Sequence, residues 1–132
     1  MKGIIACVAG VFSYFAGCIN ETVIILAVLV VCDYATGIIA SIYTEKKYSW
    51  RQGVKGAVKK TCYAFVILMG FVSDYILTKG IADVGIDLDT KGKIGMVVVL
   101  YLIGTEGFSI LENLVKIGVP VPEKLKKFFE KI

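Results

Sequence analysis

Four stretches of this chain, 3–19, 22–43, 61–78 and 94–115, are apolar and almost free of charge. As helices rising 1.5 Å per residue they measure about 25–33 Å, against roughly 30 Å of bilayer hydrocarbon. Peptide groups in lipid find no water, so such runs must close their hydrogen bonds internally, as helices. Composition agrees, since 57% of the 132 residues are hydrophobic where soluble domains run at roughly 45–50%. The sequence predicts an all-α integral membrane protein, a single membrane domain over 1–132. It is a bundle of four or three transmembrane helices with interfacial amphipathic helices, and a homo-oligomer is expected.

Charge orients the spans. Lys46, Lys47, Arg51, Lys55, Lys59 and Lys60 lie between the second and third runs against Glu45 alone. Lys116, Lys124, Lys126, Lys127 and Lys131 follow the fourth run against Glu123 and Glu130. The connection at 79–93 balances Lys79, Lys91 and Lys93 with Asp83, Asp87 and Asp89. Lysine-rich loops stay cytoplasmic, so four spans with both termini inside satisfy every loop, including Lys2. The first run is the exception: only Asn20-Glu21 joins it to the second. It is then either a span entered through a very tight hairpin, or a short or surface-lying helix that leaves three spans and an outside N-terminus. Phe15-Ala16-Gly17-Cys18 also loosely resembles a lipoprotein cleavage box, a rival reading of that run.

The net charge of +4 flanks apolar runs instead of interleaving with aromatics, so anionic phospholipid is the expected partner and nucleic acid is not. From Ser49, a plausible N-cap, Arg51, Lys55 and Lys59 recur on one helical face, with Trp50, Val54, Ala57, Val58 and Thr61 on the other. The basic loop 44–60 therefore reads as an interfacial helix. Trp50, Arg51, Lys55, Lys59 and Lys60 sit at the membrane surface, and Tyr43 and Tyr48 join Trp50 in the aromatic belt. The tail 116–132 repeats the theme: Pro122 can open a helix, and Leu125, Phe128, Phe129 and Ile132 share a face. A solvated loop and a frayed tail are the alternatives.

Enzyme chemistry finds no foothold. The chain has no histidine, which removes the commonest general base and metal ligand. Cys7, Cys18, Cys32 and Cys62 lie in or beside apolar runs, where a thiol behaves as a small hydrophobe. They include no C-x-x-C, and 83–89 lacks calcium-loop spacing. No catalytic residue, cofactor or metal is expected.

Two isolated acids stand out. Asp33 lies about 16 Å from the outer end of its run, and Glu106 about 18 Å from the end of its own. An ionised acid at mid-bilayer costs roughly 2.5–3.5 kcal/mol. No Lys or Arg lies at that depth along the runs, so no ion pair within the chain is expected. Each acid must be protonated, hydrogen-bonded or wetted. Asp33, Thr36, Gly37, Ala40, Ser41 and Thr44 form one small or polar stripe; Glu106, Ser109 and Asn113, with Thr105 and Glu112 adjoining, form another. The stripes either hold a bundle together by inter-helix hydrogen bonds or line a pore. On the second reading Asp33, Thr36, Gly37, Ser41, Glu106, Ser109, Glu112 and Asn113 face a lumen or an oligomer interface. Small residues four apart in the first run, such as Ala6 and Gly10, permit close helix contact.

Several patterns together resemble the toxin-secretion/phage-lysis holin family. They are Asp33-Tyr34-Ala35-Thr36-Gly37, then Ser49, Gly53, Gly56, Lys59 and Lys60, then the run from Glu106 to Asn113, and finally Gly118-Val119-Pro120-Val121-Pro122 before Leu125. The resemblance runs from about residue 20 to the C-terminus and is thinnest at 79–93; Thr105 and Gly107 depart from the family pattern. It implies a lysis-timing protein of phages or prophages of Gram-positive bacteria, multi-pass in the cytoplasmic membrane. Such a protein oligomerises and opens lesions that release an endolysin or a toxin, without direct contact with that functional partner. The rival functions are a small oligomeric ion channel and a membrane scaffold or accessory subunit.

Overall fold

The computed structural model describes residues 1–44 and 49–131, with the side chains of Phe15 and Cys18 excepted. Five α-helices follow one another: α1 (Lys2–Cys18), α2 (Glu21–Tyr43), α3 (Trp50–Tyr75), α4 (Lys93–Ile117) and α5 (Glu123–Lys131). A π-helical turn, Ile76–Gly80, prolongs α3. Three stretches, Glu21–Tyr43, Trp50–Gly80 and Lys93–Ile117, are long and apolar enough to cross a membrane. α1 offers only a shorter apolar helix, Lys2–Tyr14.

Local chemistry sets most ends. The Asn20 side chain accepts from the Val23 amide at 3.2 Å, capping α2. Gly118 closes α4 at φ 96°, a left-handed conformation that glycine adopts without strain. Its amide bonds to Val115 O and that of Val119 to Leu114 O, both at 3.0 Å, which is the Schellman pattern. Pro120 and Pro122 forbid any continuation, and α5 starts after them, its Leu125 and Lys126 amides bonded to Pro122 O.

The beginning of α4 is held from elsewhere. Of its first four amides, Lys93 bonds to Thr90 O and Met96 to Gly92 O. The other two, Ile94 and Gly95, donate to the carboxylate of Asp74 on α3 at 3.1 and 2.7 Å. A helix N-terminus leaves these amides orphaned and favours negative charge, and Asp74, 2% exposed, meets both needs. The approach is close: a Cβ on Gly95 would stand 2.4 Å from the Phe71 ring, and one on Gly70 3.0 Å from Gly95 Cα. Glycines here let α3 and α4 cross in contact.

Below that tie, Leu26, Val99 and Leu102 form the core, packed by Val23, Val30, Tyr63, Ile67, Val98 and Ile103 of α2, α3 and α4. α1 is joined more thinly, by Tyr14, whose hydroxyl donates to Phe71 O at 3.4 Å and whose ring meets Tyr75 edge-on. A Cβ on Gly3, Gly10 or Gly17 would touch nothing within 4 Å, so the small residues of α1 are not packed.

Two sequence expectations change here. The stretch after Ser49 is not a separate surface helix: it forms the first turns of α3 and runs unbroken into the third apolar run. An unbroken hydrogen-bond ladder through 59–61 leaves no loop at which a surface helix could turn away. Ser49 occupies the cap position without a side-chain cap bond; Tyr48, Glu45, Lys46 and Lys47 lie outside the described residues. The tail is a helix, but α5 folds back on α4. Phe129 seats over Gly107, where a Cβ would stand 2.3 Å from its ring, while Phe128 and Leu125 remain exposed and Ile132 lies outside the described residues.

Candidate functional site

At the far end of the core from Asp74, one ammonium sits between two carboxylates. Lys60 Nζ of α3 pairs with Asp33 Oδ2 of α2 and with Glu106 Oε2 of α4. Both acidic side chains and the lysine are withdrawn, with side-chain exposures of 13% for Lys60 and Asp33 and 2% for Glu106. The sequence expectation of no cation at this depth is therefore corrected: Lys60, assigned from its loop position to the membrane surface, pairs with both acids. Counting along single runs missed it because α3 extends ten residues before Lys60, so its charged side chain lies well inside the bundle.

The remaining partners come from the two polar stripes. Asn113 Nδ2 on α4 donates to Asp33 Oδ1 at 2.9 Å and lies 3.2 Å from Thr36 Oγ1. A Cβ on Gly37 would stand 3.6 Å from that same nitrogen, so the absent side chain gives the amide room. The Tyr34 ring lies against the lysine, its centroid 4.8 Å from Nζ, within cation–π range. Three helices thus deliver six side chains, Asp33, Tyr34, Thr36, Lys60, Glu106 and Asn113, to one place.

Other expected site residues fall elsewhere. Ser41 bonds back to Gly37 O at 2.9 Å and borders a small recess with Gly37, Ala40, Thr44, Asn113 and Lys116. Ser109 is half-buried, and Glu112 and Thr105 are exposed. Trp50, Arg51, Lys55 and Lys59 are exposed on α3. Asp74 is the residue that sequence reasoning misses: it lies within the third apolar run, and no spacing announces the α4 amides it caps.

A lone buried ion pair is poor evidence of stability, because desolvation offsets attraction. Here the formal count is one cation to two anions, an excess negative charge held among apolar helices. Removing Lys60 leaves two carboxylates uncompensated, whereas removing either acid leaves one ion pair. Among the described residues no group of acids and cysteines is arranged to hold a metal.

Apolar helices of spanning length, tied by a buried charge cluster and a carboxylate-capped helix start, define a helical multi-pass membrane protein. The chain belongs to the bacteriophage holin family, whose model matches residues 10–132. It is 30% identical over 121 residues to an uncharacterised 14.9 kDa protein of Clostridium perfringens, covering 92% of this chain and 83% of that one. It is 32% identical over 116 residues to an uncharacterised protein of Listeria innocua, covering 88% and 74%. A probable holin of Bacillus phage phi105 is 31% identical over 98 residues, covering 74% of this chain and 64% of the phage protein. No solved structure matches.

Proposed function

We propose that this protein is a phage-type holin: it accumulates in the bacterial cytoplasmic membrane, self-associates, and opens lesions that let an endolysin or a toxin cross. No catalysis is involved. The observation that carries the reading is the buried Asp33–Lys60–Glu106 cluster in a chain whose family is that of phage holins. While the cluster is closed, each protomer hides its charges inside its own bundle and shows lipid an apolar exterior. When it opens, two carboxylates and an ammonium need water or the matching groups of other protomers, and both needs are met where protomers gather around a wet lesion.

The trigger on this reading is electrical. Moving one charge through the field is worth about 2.3 kcal/mol per 100 mV, and the cluster carries formally one excess negative charge. Collapse of the potential removes a bias of that order on the closed arrangement. Both termini on the cytoplasmic side, with α1 as a fourth span, suit the placing of the lysines.

The test is to induce the chain alone in bacteria while recording growth, membrane potential and escape of a cytoplasmic enzyme. A holin gives a delayed, abrupt arrest with enzyme escape; passage of ions alone points to a channel, and no effect to a scaffold. Asp33→Asn and Glu106→Gln, which each leave a neutral pair with Lys60, should shift the moment of arrest without preventing membrane insertion. Unchanged timing in both would overturn the role given to the cluster.

A further inference from the structure

We propose that one anionic glycerophospholipid binds at the end of the bundle where α4 begins, its phosphodiester between Lys79 and Lys91 and its acyl chains in clefts beside α1. The site depends on the chain lying in a membrane and not on what the chain releases. A cavity of about 430 Å³ opens there, bordered by Tyr14 of α1, Tyr75, Thr78 and Lys79 at the end of α3, and Asp89 and Lys91 of the connection. It has the size of a ligand pocket, apolar with a few polar groups gathered at one place. Asp74 also borders it, but its carboxylate is taken up by the Ile94 and Gly95 amides. The charges left at the rim are two ammoniums against one carboxylate, all exposed. Among the described residues neither lysine has an ion-pair partner. A singly charged phosphodiester neutralises this rim, whereas a zwitterionic headgroup leaves it positive. Lys91 is fixed in its place: its φ is 50°, a left-handed conformation rare for a side chain, and Asp89 Oδ1 accepts its amide at 2.9 Å. Strain of this kind collects at ligand clamps.

Two apolar clefts adjoin this cavity. The larger, about 410 Å³, lies between Phe12, Ala16 and Ile19 on one side and Val23, Ile67 and Phe71 on the other, and Phe71 borders the polar cavity as well. The smaller, about 210 Å³, lies between Gly10, Val11 and Val72, and shares Tyr14 and Tyr75 with that cavity. Between Phe12 and Ile19, and between Ala64 and Phe71, α1 and α3 each cover about 10 Å. The larger cleft thus leads from the level of the lysines into the hydrocarbon, as an acyl chain does. It offers no side-chain partner to water, which needs two to four polar groups. Nor does α1 close the gaps: a Cβ on Gly10 or Gly17 would touch nothing within 4 Å, and Phe12 and Ile19 are 77% and 62% exposed. Filling them restores dispersion contacts that an empty gap forfeits. Free phosphate would use only the charged rim, and a helix of a second copy only the clefts. A phospholipid uses both, in the order in which they lie.

The test is native mass spectrometry of the full chain in mild detergent, titrated with phosphatidylglycerol or phosphatidylcholine of equal chain length. One phosphatidylglycerol per chain is expected, held about tenfold or more tightly than phosphatidylcholine. Lys79→Gln/Lys91→Gln should weaken it about thirtyfold. Lys55→Gln/Lys59→Gln, which removes the same charge from exposed positions on α3, should leave it unchanged. Ala16→Phe, which fills the larger cleft without altering charge, should weaken it too. Equal weakening by both lysine pairs would reveal general surface attraction and overturn the site, as would equal affinity for the two lipids. Displacement by soluble glycerol phosphate would mark a site for free phosphate instead. Lipid-free dimers that vanish in Ala16→Phe would show that a second copy covers the clefts, and binding unchanged in Ala16→Phe would remove the acyl chains from them.

Discussion

Asn113 Nδ2 reaches across the α2–α4 contact to Asp33 Oδ1 at 2.9 Å, joining residues 80 positions apart in the chain. The bond holds the aspartate so that its other oxygen, Oδ2, faces Lys60. Lys60 in turn reaches Glu106, two helical turns along α4 from Asn113. The four residues close a ring through three helices, and its members differ in what their loss should do.

Lys60→Met should be the most damaging single change, because it leaves Asp33 and Glu106 buried without a cation. A loss of about 3–5 kcal/mol is expected, read as reduced accumulation in membranes and earlier unfolding in mixed micelles. Lys60→Met combined with Asp33→Asn and Glu106→Gln should recover most of it. Failure of the triple variant to recover would show that the lysine acts through something other than these acids.

Asn113→Ala removes a donor to Asp33 and to the Thr36 region while leaving the ion pairs in place. Inter-helix hydrogen bonds in membranes contribute about 0.6–2 kcal/mol, and a loss of that size is expected in the same unfolding measurement. Asn113→Asp should be worse than alanine, since it adds a third carboxylate to a cluster already in negative excess.

Asp74→Ala strips the partner from the Ile94 and Gly95 amides. Loss of a helix cap costs about 0.5–2 kcal/mol, and faster amide hydrogen exchange over the first turn of α4 is the expected signature. Asp74→Asn keeps an acceptor and should retain part of the protection. Equal exchange in wild type and Asp74→Ala would refute the capping role.

Gly107→Val should lift α5 from α4, because even a Cβ would stand 2.3 Å from the Phe129 ring. Tryptic cleavage at Lys124, Lys126 or Lys127 should then accelerate several-fold, with α4 still protected, as expected for a segment freed from packing. Phe129→Ala should accelerate it as well, through loss of the same contact.

The helices were legible because each is dictated by a local necessity: an apolar run in lipid has no alternative to closing its own hydrogen bonds. Asp33, Thr36, Gly37, Glu106 and Asn113 were legible as two stripes because helical spacing places them on single faces. What could not be read was which stripe met which, and at what height. Lys60 illustrates the reason: it directly follows the exposed Lys59 at the end of a basic stretch, so its setting depends on where α3 crosses α2 and α4. That crossing is set by glycines 70 and 95 and by the Phe71 ring, contacts between residues more than twenty positions apart. The fold-back of α5 escaped for the same cause, since the Gly107 notch is defined only when Phe129 fills it.

Because the start of α4 is clamped by Asp74 from a neighbouring helix, the peptide joining the two helices is relieved of that duty. Val84, Gly85, Ile86, Asp87 and Leu88 are exposed and irregular or in turns, and they initiate nothing. An epitope or a short fluorogenic peptide spliced between Gly85 and Asp87 should leave the three long helices undisturbed, which makes this hairpin tip a natural place to tether a reporter.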